Sequence, residues 1–296
     1  MRYLAVLLIA GTCAALNVPL RAEEPPHLAF VRALRARGMA DLALEYLQSQ
    51  SKNPPADLAP ILPLELAKTR LELAASKPDP ASRLAEQNQA RAEFELFLKN
   101  NPQHPLAAEA SLEIARIIAI QGKTELSKAR QADKNAQSAG MAKARALFDQ
   151  AGPLLQAAAE RIDAQLAALA AAATAQSDAQ KQALSEARQQ AELEIGINLL
   201  NQAQSYTGDS DAAKRGDLFK KATDVLERLS RRDPKNPICW QARTWLGRCY
   251  LENEDPKAAR KIFNEVIAEP GEYAEPGTGG QRLWFSWSPI SPGHSR

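Results

Sequence analysis

Apolar and small residues recur at helical spacing along most of this chain. Positions 148, 151, 155, 158, 162, 166, 169 and 173 form one stripe, and positions 184, 187, 191, 195, 199, 203 and 206 form a second. Steps of three and four residues place side chains on one face of an α-helix. The stripes predict two long helices joined near Thr174 to Asp178, and short-looped helices with single stripes pack antiparallel. Residues 124–206 are therefore expected to form an elongated helical hairpin, with Gly152-Pro153 breaking or restarting its first helix.

Shorter helix pairs flank that segment. Phe30, Val31 and Leu34, then Ala43 and Leu47, lie on either side of the turn Arg37-Gly38-Met39. Residues 58–100 predict another pair, with Ser76-Lys77-Pro78-Asp79-Pro80 as its turn. A shift of 132 residues lays 94–123 over 226–255 without a gap. In that overlay Asn101-Pro102 falls on Asp233-Pro234, Pro105 on Pro237, Ala110 on Ala242, Ile114-Ala115 on Leu246-Gly247, and Ile118 on Tyr250. Each copy ends one helix, turns at a Pro pair and starts another.

The stretch Trp245 to Phe263 carries Leu246-Gly247, Tyr250, Ala259 and Phe263 at the spacing of the tetratricopeptide repeat (TPR) family, which this segment resembles. The longer Pro-x-x-Pro entry, with Trp240 and Ala242 ahead of Leu246, is most similar to repeats of exported bacterial envelope proteins. The resemblance implies an all-α, TPR-like helical-hairpin solenoid, with the 124–206 hairpin as an elongated insertion. It divides the chain into 23–123 (N-terminal helix pairs), 124–206 (hairpin) and 207–270 (C-terminal repeat). On that reading Gly122-Lys123-Thr124 lies at an interhelix turn.

Both ends of the chain differ from this pattern. Residues 1–22 combine Arg2, an apolar run from Tyr3 to Leu16 and Ala22 before an acidic stretch, the layout of a secretory signal peptide. The run falls short of the about 20 residues of a comfortable membrane span, so contact with a membrane is expected only if the segment stays uncleaved. Residues 271–296 have no helical period and read as an irregular tail, or as the mark of a chain truncated or shifted out of frame.

Composition narrows the partners. The sequence has 37 basic and 35 acidic residues; removal of Arg2 and Arg21 with residues 1–22 leaves 35 of each. A balanced chain lacks a general electrostatic footprint for nucleic acid. Cys239 and Cys249, ten residues apart on one expected helix, lie about 15 Å apart and cannot pair.

Candidate chemistry is sparse. His27, His104 and His294 form no metal-ligand or acid-base spacing, and the sequence lacks GxSxG, HExxH, CxxC and GxGxxG. No cofactor, metal or catalytic residue is expected. Glu192 and Glu194 read as solvated surface, and Trp240 and Trp245 as packing anchors. In TPR proteins the residue two after the Leu of the Leu-Gly pair faces the concave surface. Carried over position by position, that rule gives Arg32, Lys68, Arg116 and Arg248. Four basic residues at one structural position imply a local positive groove suited to an acidic protein or peptide. The function expected is a non-catalytic interaction scaffold of the periplasm or cell envelope. The alternative is a structural spacer, or the N-terminal piece of a larger envelope protein whose activity lies elsewhere.

Overall fold

The structure is a computed structural model that describes residues 25–172, 177–233 and 236–268. The expectations for residues 1–22 and 271–296 lie outside these residues. The described residues form ten α-helices and no strand. They run α1 (Pro26–Ala36), α2 (Ala40–Gln50), α3 (Leu62–Ser76), α4 (Pro80–Asn100), α5 (Ala107–Gln131), α6 (Lys134–Ala172) and α7 (Ser177–Gln204). A 3-10 turn at Asp209–Asp211 precedes α8 (Ala212–Ser230), α9 (Pro237–Glu252) and α10 (Pro256–Ala268).

Local chemistry sets the helix starts. Proline opens α1, α4, α9 and α10, where its missing N–H costs no hydrogen bond. The Asp79 carboxylate accepts from the Ser82 N–H at 2.8 Å at the start of α4, and the Asn236 side chain accepts from the Ile238 N–H at 2.8 Å at the start of α9. Between α1 and α2 the chain reverses at Gly38, whose φ of 74° is open to glycine at little cost.

Consecutive helices pack as five antiparallel pairs, a TPR-like helical-hairpin solenoid. In three of the pairs a glycine on the first helix lets the second come close. Gly122 lies against Phe148, Gly196 against Leu226, and Gly247 against Phe263. The core runs through the stack as successive clusters: Val31, Leu47 and Leu58; then Phe94, Phe97 and Ile118; then Leu155, Ile162 and Ala191; then Leu200, Leu226 and Leu246.

The structure corrects three sequence expectations. Gly122-Lys123-Thr124 is not a turn but lies inside α5, which runs on to Gln131. Within the stack α6 is the second helix of the third pair, and α7 is the first helix of the fourth. Pro153 does not break α6. It sits on the exposed side, while Phe148, Ala151, Leu155 and Ala158 hold the opposite face in the core. Close to the carbonyl that Pro153 leaves without its usual donor, the Asn198 amide donates to the Phe148 carbonyl at 3.1 Å. Glu192 is not solvated but buried, held by Arg232 at 2.6 Å and Arg188 at 3.3 Å.

The two layers of the stack differ. Helices α5, α7 and α9 touch one another in succession, a closeness that α6, α8 and α10 lack. Closer packing in one layer bends a solenoid toward that layer, so α5, α7 and α9 line its inner side, and the ion pairs Arg35–Glu65 and Lys68–Glu109 continue that row to α3 and α1. Among the described residues α10 packs chiefly on α9. Ile262, Phe263 and Val266 are only half-buried there, and Ile267 is 80% exposed.

Candidate functional site

The inner row carries charge along the stack, alternating in sign. Arg35 of α1 donates to Glu65 of α3 at 2.9 Å; Lys68 of α3 pairs with Glu109 of α5 at 2.7 Å; Arg116 of α5 reaches Glu194 of α7 at 3.3 Å and also holds Glu113. Each link joins one odd-numbered helix to the next. Partly buried links of this kind are stronger than exposed ion pairs, because less water competes for the charges.

The four basic residues expected from the sequence fall on α1, α3, α5 and α9, but they do not form a row of one sign. Lys68 and Arg116 are neutralised by Glu109, Glu113 and Glu194, and Arg248 lies 3.8 Å from Glu252. Arg32 is exposed on α1. The expected positive groove is thus replaced, over α3 and α5, by a balanced ladder, because the same helix faces that carry the cations carry glutamates one turn away.

Around α9 the balance shifts. Lys123 lies 5.8 Å from the centre of the Trp245 ring and Arg248 lies 5.7 Å from it. Cations near an indole face are attracted by its quadrupole. Lys123 has no carboxylate within ion-pair distance among the described residues. Burial, and then the neighbouring Arg248, push its ammonium below the usual lysine range, opposed by Glu194. The half-buried Trp245 also packs on the C-terminal core, so it anchors the fold and offers a ring face together.

Burial pushes the Glu113 carboxyl up, against the pull of Arg116. The thiol of Cys249, buried between helices, is pushed up to about 12, and Cys239 is likewise buried and free. Among the described residues no group of His, Cys, Asp and Glu is arranged to hold a metal ion, and no helix is long and apolar enough to cross a membrane.

The contacts of Lys123 and Glu194 do not follow from the repeat spacing, which places Lys123 in a turn and reads Glu194 as solvated surface. Lys123 nevertheless lies seven residues after Arg116, two helical turns along the same face of a continuous α5, and that spacing adds it to the row.

Comparison with known proteins is consistent with the C-terminal repeat. A tetratricopeptide repeat family model matches residues 210–274, spanning α8, α9 and α10. No curated protein sequence matches the chain. Among solved structures, MamA (residues 41 to the end) from Desulfovibrio magneticus RS-1 is similar over 81% of this chain and 91% of its own, at 16% identity and a TM-score of 0.45. A MamA RS-1 double mutant is similar over 81% and 90%, at 14% identity and the same TM-score. Both superpositions are too loose to carry MamA's arrangement over to this chain. The specific tetratricopeptide likeness is the one at residues 210–274, where Leu246-Gly247, Tyr250, Ala259 and Phe263 stand at the family's spacing.

Proposed function

We propose that this chain is a non-catalytic scaffold, exported to the periplasm or cell envelope, whose inner row of helices receives a segment of a partner protein. The observation that carries the reading is the cluster of Lys123, Trp245 and Arg248 on that row: among the described residues, a cation without an ion-pair partner beside a second cation and a half-buried indole. A carboxylate of the partner placed there gains two charge-assisted contacts and relieves the desolvated ammonium. The signal-like residues 1–22 support export, and the tetratricopeptide match at residues 210–274 supports protein binding.

Within the reading, Arg116 and Lys68 hold the row together, while Lys123 and Arg248 bind. The test is crosslinking and affinity capture from an envelope extract with the parent chain, Lys123→Ala/Arg248→Ala and Lys68→Ala, at low and moderate salt. The double substitution is expected to lose the partner and its salt dependence, and Lys68→Ala to keep both. Equal capture by the double substitution and the parent would refute the role of the cluster.

A further inference from the structure

A second feature of the inner row has different chemistry. Where the third pair meets the fourth, α6 and α7 run on past the start of α5 and enclose a cleft of about 690 Å3 against it. That volume lies within the range of ligand pockets, about 300–1,000 Å3. Its lining is mostly apolar, from Leu106, Leu112, Leu169, Leu184 and Ala187. The wall is held by specific bonds: Gln165 donates to the Pro105 carbonyl at 2.8 Å, Arg161 donates to the Ser111 hydroxyl at 3.0 Å, and Arg188 of α7 donates to Asp163 of α6 at 2.8 Å. The cleft is thus a built trough rather than a gap between loosely placed helices.

Three helices that present apolar side chains to a common trough leave the place of a fourth, the geometry in which an amphipathic helix docks through positions i, i+3, i+4 and i+7. The charges in the lining choose among such helices. Among the described residues they are Glu109 and Glu113, one turn apart on α5, and one cation, Arg116. The α6 and α7 walls add glutamines and apolar groups, and no charge. Lys68, which holds Glu109, does not line the cleft, and the Glu109 side chain remains 43% exposed. Burial already disfavours the charged form of Glu113. Arg116 already holds Glu113, so a cation on the visitor would be met chiefly by the exposed Glu109 carboxylate, whereas an anion there would be repelled by it.

We infer that the α5–α6–α7 cleft is a docking site for an amphipathic helix of a partner protein whose apolar face is bordered by lysine or arginine. This rests on the scaffold reading and deepens it, because it gives the partner an order of charge. Basic residues lie at the Glu109 and Glu113 end, and a carboxylate lies at the Lys123 and Arg248 end, about 21 Å further along α5.

The test uses the purified protein and two labelled synthetic peptides of the same leucine and alanine pattern, one bordered by lysine and one by glutamate, read by fluorescence anisotropy. Gln180→Trp, at an exposed position on the cleft wall, and Ala187→Trp, deeper in it, each obstruct the trough, and circular dichroism checks that helix content is kept. The lysine peptide is expected to bind at least ~10-fold tighter than the glutamate peptide, and either tryptophan substitution to weaken it at least ~10-fold. Glu109→Gln should reduce the preference between the peptides. The inference is overturned if neither peptide binds, if both bind equally, or if binding survives Gln180→Trp. It is also overturned if the trough is occupied by a second copy of this chain, seen as a dimer in the parent that Gln180→Trp dissociates. These failures leave the result at Lys123 and Arg248 standing, so loss of the cleft and loss of the scaffold reading can be told apart.

Discussion

Three helical glycines give a graded test of how closely the pairs pack. Gly216, within α8, has no atom within 4 Å of the place an added Cβ would take, so Gly216→Ala should gain the helix propensity of alanine, about 1 kcal/mol. At Gly247 the added Cβ would lie 2.7 Å from Cε1 of Phe263, but Phe263 is half-buried on the terminal helix α10 and has room to turn aside. There, strain and propensity nearly cancel. At Gly122 the closest approach is the same, 2.7 Å to Cε1 of Phe148, yet Phe148 is fully buried among Leu126, Ala129, Met141 and Ala144. Overpacking of a closed core costs about 1–3 kcal/mol. Set against the propensity gain of about 1 kcal/mol, Gly122→Ala should lose up to about 2 kcal/mol. Urea unfolding followed by circular dichroism at 222 nm would rank the three as Gly216→Ala above Gly247→Ala above Gly122→Ala. Adding Phe148→Leu to Gly122→Ala should restore part of the loss, a coupling expected between contacting residues. If Gly122→Ala stabilised the chain as much as Gly216→Ala, the close α5–α6 contact, and with it the continuous α5, would be refuted.

Other substitutions probe the charged and buried groups. Arg70, which donates to Glu93 at 2.8 Å and Glu86 at 3.0 Å between α3 and α4, should cost about 1–3 kcal/mol when replaced by alanine at neutral pH. Burial raises the Glu93 carboxyl above its usual value, so it takes up its proton early on acidification, and the Arg70→Ala deficit should shrink in melts at falling pH. Lys123→Met removes a cation held below its ordinary range by burial and should raise the Tm at neutral pH. The cost of that cation fades only as alkaline pH deprotonates Lys123, so an equal Tm at neutral pH would contradict the assignment. Cys249, with its thiol pushed up to about 12, should resist a thiol reagent at pH 8 in the native state and react only on unfolding. Stability drawn from the protonated thiol is present below its ordinary value of 9.0 and is lost as pH climbs through the raised one, which alkaline melts would show.

The helical repeats were legible because their punctuation is local. Gly38, Asp79-Pro80 and Asn236-Pro237 each carry a turn or cap whose chemistry depends on neighbours in sequence, and all three stand at helix boundaries. The length of α5 was not legible in the same way. Gly122 reads as punctuation in sequence, but Phe148, twenty-six residues later, turns it into a packing contact inside a helix. Pro153 likewise reads as a break until Asn198 of α7 supplies a donor beside it. The site divided along the same line. The basic positions followed from the repeat spacing, whereas their neutralisation by Glu109 and Glu194 depends on which helices lie side by side. Lys123 gains its significance from Trp245 and Arg248 on α9, and nothing within α5 announces either.

Hydrogen–deuterium exchange, with the captured partner bound and absent, tests the central claim most directly. If the odd-numbered helices form the binding side, protection should rise on α5, α7 and α9, centred on Lys123, Glu194 and Trp245, and stay unchanged on the outward-facing residues of α6 and α8. Protection confined to α6, α8 or α10 would contradict the account and place the partner on the outer layer.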